Sequence, residues 1–183
     1  YITPQEQAKE YLIGSYFDQS LENPILSSNQ YKSVARKSYQ EDTKKFDRSI
    51  KKKYKYLFEN HDQLKGCWER AAHVYKLDPW LLMAIAKVES NFNHKAINYN
   101  KNKTSDYGMM QINEIWLPTL RRFGIQKEDL FDPCKSVFIG AWIVAQNIRH
   151  FGYNLDGIGA YNSPKNVTIR RNYAKKVYKA YYE

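Results

Sequence analysis

The sequence has few cysteines and no long apolar segment. Two of its 183 residues are cysteines, Cys67 and Cys134, and neither belongs to a CxxC pair or to a Cys/His set with metal-ligand spacing. No apolar run is long enough to cross a bilayer, so we expect no membrane span in this chain. The cysteines fit either buried free thiols or one disulfide formed in an oxidising compartment, and their positions alone do not decide between the two.

Several motifs that carry chemistry are also absent. The chain has no GxSxG, no glycine-rich phosphate loop and no HExxH. Its four histidines are scattered, and none is paired at a metal-binding spacing. We therefore expect neither a metal nor a cofactor, and we look for catalytic groups among the carboxylates.

Basic residues outnumber acidic ones. There are 29 Lys and Arg against 19 Asp and Glu, which gives a formal net charge of +10. This excess favours an anionic polymer such as nucleic acid, acidic glycan or a membrane surface, but it is equally typical of a solvated surface. The first residue is Tyr1 and no signal peptide is visible, as expected for a processed or trimmed chain.

Residues 1–66 differ in character from the rest and are interpreted as a basic helical extension. Between about 31 and 60, apolar residues recur at spacings of three and four, which predicts an amphipathic helix. These residues are Tyr39, Phe46, Ile50, Tyr54 and Leu57. We favour a solvated helix that packs on the main domain by this stripe, and a docking surface is the alternative.

Residues 67–183 carry clear helix signals. Asp78-Pro79 and Asp132-Pro133 each place an N-capping Asp before a Pro at the first helical position. The first pair precedes WLLMAIAKVES, a helix so apolar that we expect it to be buried. The second begins a long helix that ends at Gly152. Further helices are predicted at 114–123, 156–162 and 167–182, and a small β or loop element near 98–113.

Two carboxylates in this region have no simple structural explanation. We interpret Asp78, Asp132 and Asp156 as N-caps, while Glu114 precedes a helix that it could cap. Glu89 and Asp106 remain. Glu89 follows the apolar run LLMAIAKV near a helix C-terminus, where burial and the helix dipole both disfavour its charged form. Its pKa is then expected to rise, as a general acid requires, although a Glu at a helix end can also simply face solvent.

Three sequence blocks favour the catalytic interpretation of Glu89. The chain reads ESNFNHKAIN from Glu89, GMMQIN from Gly108 and AYN from Ala160. In this order they resemble the soluble lytic transglycosylase family, over about residues 67–163. The resemblance implies the fold of goose-type lysozyme and a mainly helical, lysozyme-like catalytic domain at 67–183. The sequence departs from the family pattern at Ser163-Pro164, where small residues and Gly are usual.

Further residues resemble a subgroup of small specialised transglycosylases. They are the CW at 67–68, the LDP at 77–79 and the DPC at 132–134. That subgroup accompanies type III and type IV secretion systems and pili, and clears local gaps in the cell wall. The resemblance implies a disulfide between Cys67 and Cys134, an exported protein in the periplasm, and peptidoglycan glycan strands as the partner, with secretion-system or pilus components as further candidates.

The resemblance also implies roles for individual residues. Glu89 is expected to be the single acid/base, and Ser90 to orient the substrate or the catalytic carboxyl. Tyr161 is expected to hydrogen-bond near Glu89 and hold it in place. The remaining residues are expected to line or support the sugar cleft: Met109, Met110, Gln111, Asn113 and Asn162.

The expected reaction cleaves the bond between N-acetylmuramic acid and N-acetylglucosamine and forms a 1,6-anhydro product. Asp106 leaves an alternative open, because a second carboxylate across the cleft could support a hydrolytic muramidase. An Asx turn before Gly108 would explain Asp106 equally well. A non-catalytic wall-binding or assembly module is a further rival, and the intact blocks argue against it. A nucleic-acid partner is not expected, because it explains only the charge.

Overall fold

The computed structural model describes residues 62–182, so the helix predicted within 31–60 lies outside the described residues. The described part is mostly helical and has one small sheet, as predicted. The helices are α1 (Asp62–Tyr75), α2 (Pro79–Ser90), α3 (Leu117–Arg121), α4 (Pro133–Phe151), α5 (Leu155–Gly159) and α6 (Val167–Tyr182). Two 3-10 helices span Glu114–Trp116 and Lys127–Phe131. The strands are β1 (Ile97–Tyr99), β2 (Ser105–Tyr107) and β3 (Ile112–Asn113).

Helix α2 lies at the centre of the core. Its residues from Leu81 to Ala86 are all buried, as the apolar sequence predicts. Helices α1, α4 and α6 pack around it, and α5 fills the space between α4 and α6. Burial of the whole α2 circumference fixes where its C-terminal end lies, and that end carries Glu89.

Both predicted Asp-Pro helix starts are confirmed. The Asp78 side chain accepts a hydrogen bond from the backbone N–H of Trp80 at 2.9 Å. The Asp132 side chain accepts one from the N–H of Lys135 at 2.8 Å. In each case Pro follows as the first helical residue, where its missing N–H costs nothing. Helix α4 ends at Gly152, as predicted.

The sheet is antiparallel with strand order β1-β2-β3, in the predicted β region. Its register places Asp106 of β2 between Asn98 of β1 and Asn113 of β3. The tight turn between β2 and β3 begins at Gly108, whose φ is 78°. A Cβ at this position would lie 1.9 Å from the carbonyl oxygen of Leu130, so only Gly fits.

Two local predictions are wrong. Asn154, not Asp156, caps α5, because its side chain accepts the N–H groups of Asp156 and Gly157. Asp156 instead pairs with Arg170 and Arg171 of α6. Similarly, Asn113 rather than Glu114 caps the following 3-10 helix.

Some predicted boundaries also shift. The single helix predicted at 114–123 is divided into a 3-10 turn and α3, and α5 ends at Gly159 rather than at 162. Helix α1 runs through the predicted domain boundary between residues 66 and 67. The separate nature of residues 1–66 stays a prediction.

A disulfide joins α1 to the first turn of α4. It links Cys67 and Cys134, whose Cα atoms lie 5.4 Å apart, and the predicted pairing is confirmed. Within residues 62–182, we find no helix with both the length and the apolar character that crossing a membrane requires.

Candidate active site

A cleft of about 330 Å³ separates the sheet from the helical part of the domain. Glu89 lies in it at the end of α2, and Asp106 faces it from β2. The opposite rim is formed by the segment after α5, including Tyr161, Asn162 and Pro164. The three sequence blocks therefore meet at one cavity, large enough for part of a glycan chain.

Glu89 is the second-last residue of α2 and is held by a tyrosine. The Tyr173 hydroxyl of α6 donates a hydrogen bond to Glu89 Oε1 at 2.5 Å. The helix ends immediately afterwards, because Asn91 adopts the left-handed conformation with φ 50°. The carboxylate is thus fixed at a helix end that opens into the cleft, and Oε2 is left as the oxygen that can carry a proton.

The environment raises the pKa of Glu89 from 4.5 to about 7. Burial is the largest cause, because removal from water disfavours the charged form. The hydrogen bond from Tyr173 opposes the shift by stabilising the carboxylate, and the negative charge of Asp106 adds to it. Near neutral pH, Glu89 is therefore present in both protonated and ionised forms, as a group that first donates and then accepts a proton requires.

Ser90 connects the catalytic helix to the turn between β2 and β3. Its hydroxyl donates a hydrogen bond to the Met109 carbonyl at 2.7 Å and accepts one from the Asn93 N–H at 3.1 Å. The structure therefore gives Ser90 contacts with the backbone and none with Glu89 itself. These contacts fix the distance between the Glu89 helix end and the turn.

Met110 is fully buried beneath the cleft. It packs so closely on α4 that a Cβ at Gly140 would lie 2.6 Å from its Cε. The Met110 N–H donates a hydrogen bond to the Ser136 hydroxyl. Met109 is buried as well, so both methionines support the cleft from below without lining it.

Tyr161 lies beside Glu89 without bonding to it. Its hydroxyl donates to the Met110 carbonyl at 2.6 Å, and its ring stacks on that of Tyr173 with 6.5 Å between centroids. Burial, followed by the charge of Glu89, raises the pKa of both hydroxyls well above the usual value, so both stay protonated donors. Tyr161 can therefore position Glu89 only indirectly, by its ring contact with Tyr173.

Gln111 and Asn113 both line the cleft, but their amides are engaged within the protein. Gln111 Nε2 donates to the Gly108 carbonyl at 2.8 Å and stabilises a turn in which Gln111 itself has φ 50°. Asn113 Nδ2 donates to Asp106 Oδ1 at 2.7 Å. Asn162 is exposed at the opposite rim.

Asp106 is not an Asx-turn residue, since it lies within β2 and its carboxylate faces the cleft. Asn113 binds Oδ1, and Asn100 donates to Oδ2 at 2.9 Å. Asn98 adds a longer contact of 3.4 Å to Oδ2. Both oxygens are thus satisfied by neutral amide donors, which fix the orientation of the carboxylate.

Tyr173 was not among the residues predicted from sequence. The only available signal is its position on α6, where it shares the buried face with Ala174, Val177 and Ala180. A buried tyrosine needs a partner for its hydroxyl, but the sequence alone does not identify that partner. No group of three or more metal-ligating side chains occurs in the part of the chain that the structure describes.

Comparison with known proteins supports an assignment based on this geometry. Residues 66–182 match the family model described as "Transglycosylase SLT domain". The chain is 40% identical over 119 residues to "Invasion protein IagB" of Salmonella typhimurium (strain SL1344), covering 63% of this chain and 74% of that protein. It is 40% identical over the same length to "Protein IpgF" of Shigella flexneri, covering 63% and 78%. "Peptidoglycan-binding-like protein" of Escherichia coli O157:H7 is 36% identical over 127 residues, covering 63% and 76%.

Proposed function

Because the chain belongs to the transglycosylase SLT domain family and is a lysozyme-like peptidoglycan lytic transglycosylase, we propose that Glu89 is its single acid/base catalyst. The proposed reaction breaks the β-1,4 bond between N-acetylmuramic acid and N-acetylglucosamine. It leaves a 1,6-anhydro ring on the muramic acid. The observation that carries the proposal is the partly buried Glu89 in the cleft, with a pKa of about 7 and the Tyr173 hydroxyl on Oε1.

In the first step, protonated Glu89 donates its proton to the glycosidic oxygen. The bond from this oxygen to C1 of the muramic acid breaks, and N-acetylglucosamine leaves with a free hydroxyl. Positive charge develops on C1 and the ring oxygen, as in other glycoside cleavages. Glu89 is now ionised, and the Tyr173 hydroxyl stabilises its negative charge by a charge-assisted hydrogen bond.

In the second step, the C6 hydroxyl of the same sugar closes on C1. Its proton passes to the Glu89 carboxylate, which returns to its starting state. No water is consumed, and no second carboxylate is needed. We propose that Gln111, Asn113 and Asn162 contact the sugars along the cleft, because all three line it.

A hydrolytic muramidase is the second candidate, and the placement of Asp106 favours it. This carboxylate faces the same cleft as Glu89 and is oriented by Asn100 and Asn113. A carboxylate in that position could stabilise the cation or activate a water molecule. The product would then be heavier by one water.

We also propose an exported, periplasmic enzyme that makes local wall openings for a secretion system or pilus. Two observations support this proposal. A disulfide between Cys67 and Cys134 requires an oxidising compartment. In addition, a relative that is 40% identical carries the name "Invasion protein". Secretion-system or pilus components are accordingly the proposed partners.

Residues 1–66 are proposed to be a separate basic extension that tunes access to the wall or docking. Between residues 32 and 55 the chain has ten Lys and Arg against three Asp and Glu. A chain without residues 1–61 should show altered sacculus cleavage or partner binding. Unchanged cleavage and binding would contradict this role.

The test of the reaction is mass spectrometry of the soluble products from purified peptidoglycan. We expect anhydro-muropeptides from the wild type and a loss of about a hundredfold to ten-thousandfold in Glu89→Gln, the usual range for general acid catalysis. Products heavier by one water would show that the enzyme hydrolyses the bond and does not form the 1,6-anhydro ring. Release of nothing by the folded wild type, with or without residues 1–61, would leave the wall-binding module as the better account.

A further inference from the structure

One positively charged side chain lines the cleft among the residues that the structure describes. It is Lys101, at the tip of the hairpin between β1 and β2. The other charged groups of the lining are the two carboxylates Glu89 and Asp106. A cation at this position is not needed for the proposed reaction, so it calls for a separate explanation.

The hairpin tip that carries Lys101 is firmly held. The N–H of Asn100 donates to the Thr104 carbonyl at 2.8 Å, and the N–H of Lys103 donates to the Asn100 carbonyl at 3.0 Å. The Thr104 hydroxyl donates to the Asn102 side chain at 2.6 Å. Asn113 of β3 donates to the same hydroxyl oxygen, which ties the tip to the sheet. Lys101 therefore extends from a fixed backbone at the cleft rim.

Lys101 has no acidic partner within residues 62–182. The carboxylate of the sheet, that of Asp106, is engaged by Asn98, Asn100 and Asn113. Lys135 provides a contrast, since it forms a 2.5 Å ion pair with Asp129. An exposed ammonium beside a cleft, with no acidic partner in the part of the chain that the structure describes, can bind an anionic group of a ligand.

We propose that Lys101 binds a carboxylate of the peptide stem on the muramic acid, and so favours glycan that still carries its stems. This inference rests on the proposed function, because it requires a peptidoglycan strand in the cleft. The glycan backbone itself is uncharged apart from what is attached to the lactyl group of the muramic acid. The stem leaves the strand sideways, and its carboxylates lie away from the sugar rings.

The position of Lys101 matches such a group. Lys101 is exposed and lines the same cleft as Glu89, so it is accessible to a substituent that projects from a strand bound beside Glu89. A lysine acts as a point charge on a flexible stem and can follow a mobile peptide. The contact is solvent-exposed, so it should adjust preference between substrates without dominating the affinity.

The test measures binding of uncrosslinked glycan strands to the full chain carrying Glu89→Gln, so that turnover cannot interfere. One set of strands keeps its stems, and the other has been stripped by an amidase, which leaves only the lactyl carboxylate. Lys101→Ala should weaken binding of stem-bearing strands by roughly two- to fivefold, the value of an exposed ion pair. Lys101→Arg should restore it, and Lys101→Glu should weaken it further.

Lys103→Ala is the matched control, because Lys103 is exposed on the same hairpin but does not line the cleft. The difference between the two alanine variants should shrink from 0.1 M to 1 M salt, as the screening length falls from about 10 Å to about 3 Å. An equal loss on stripped strands would place the contact at the lactyl carboxylate and overturn the proposal. No loss on either strand would overturn it too. Product analysis of the wild type on both strands separately decides the proposed reaction.

Discussion

Glu89 and Asp106 face the same cleft from two different sides. We call the side formed by the end of α2 the helical wall and the side formed by the β1-β2-β3 sheet the sheet wall. Glu89 lies at the end of a helix with a fully apolar core segment, and its partner is a buried tyrosine hydroxyl. Asp106 lies in a three-stranded sheet, and its oxygens are bound by asparagine amides. The helical wall removes water from a carboxyl group and raises its pKa, while the sheet wall supplies donors that replace water. Two identical functional groups thus acquire different chemistry from their surroundings.

The helices on the Glu89 side of the cleft are held by packing and by the disulfide between α1 and α4. Removing this disulfide tests whether the stability of the domain can be changed without changing the chemistry of Glu89. A Cys67→Ser/Cys134→Ser double variant should lose about 4 kcal/mol of unfolding free energy, the value for a closed loop of this length. The measurement is denaturant unfolding followed by circular dichroism. Under conditions in which the double variant is still folded, the pH profile of its activity should match that of the wild type. A shifted profile would show that the disulfide also sets the environment of Glu89.

The raised pKa of Glu89 should carry a cost in stability that depends on pH. The folded-state pKa of about 7 lies above the usual 4.5, so the group contributes no penalty below about pH 4.5. Between about pH 4.5 and pH 7 the unfolded chain ionises at Glu89 while the folded state keeps the proton, so stability falls with rising pH. Above about pH 7 both states are ionised, and the full penalty of the buried charge remains. Glu89→Gln should therefore match the wild type at pH 4 and exceed it at pH 9, by on the order of 3 kcal/mol. Equal stabilities at pH 9 in thermal unfolding would argue against a buried carboxyl group.

Tyr173→Phe tests the contribution of the Tyr173 hydroxyl, which donates a hydrogen bond to Glu89 in the helical wall. Its hydrogen bond lowers the pKa of Glu89, so its loss should raise that pKa and move the alkaline limb of kcat/KM to higher pH. At the pH optimum, activity should fall about tenfold. The reason is that Glu89, once it has donated its proton and is ionised, no longer receives a charge-assisted hydrogen bond.

Tyr161→Phe is the control for this variant. Its hydroxyl bonds to the Met110 carbonyl and not to Glu89, so the position of the alkaline limb should stay near that of the wild type. Equal shifts in both variants would mean that the direct hydrogen bond from the Tyr173 hydroxyl does not set the pKa of Glu89.

Asp106→Asn tests the sheet wall and should have the smallest effect. Its charge raises the pKa of Glu89, so removing it should move the alkaline limb to lower pH. We expect a rate loss of roughly threefold and unchanged anhydro products, because the proposed ring closure uses one carboxylate. A loss of a hundredfold or more, reported by the rate of product release, would assign Asp106 a direct role in the chemistry.

The amide donors around Asp106 make thermal unfolding a necessary control for this variant. An introduced amide would replace one of the two acceptor oxygens with an NH2 group, which would then face the donor amide of either Asn100 or Asn113. A fall in the melting temperature would therefore reflect lost hydrogen bonds in the sheet. The rate should be compared at temperatures where both proteins are folded.

The sequence predicts local features of this domain well. The Asp-Pro pairs before α2 and α4 and the stop at Gly152 each depend on residues that are neighbours in the chain. The burial of α2 follows from its own composition. Resemblance to a known family identified the three sequence blocks as parts of one site. The structure places one residue of each block, Glu89, Gln111 and Tyr161, at the same cleft.

Features that depend on distant residues could not be predicted from local patterns, and the disulfide pairing was expected only from the family resemblance. Tyr173 reaches Glu89 across 84 residues, and nothing in α6 by itself indicates that contact. Asp156 resembles an N-cap locally, but Arg170 and Arg171 on the next helix bind its carboxylate, and Asn154 caps instead. The orientation of Asp106 depends on three asparagines that only the strand pairing brings together.

The central claim is that burial holds the Glu89 carboxyl group near half-protonation at neutral pH. It is tested most directly by NMR titration of ¹³C-labelled glutamate side chains, with Glu89→Gln identifying the signal. We expect an apparent pKa of about 7 for Glu89. A value near the ordinary 4.5 would contradict it, because an ionised Glu89 could not protonate the glycosidic oxygen.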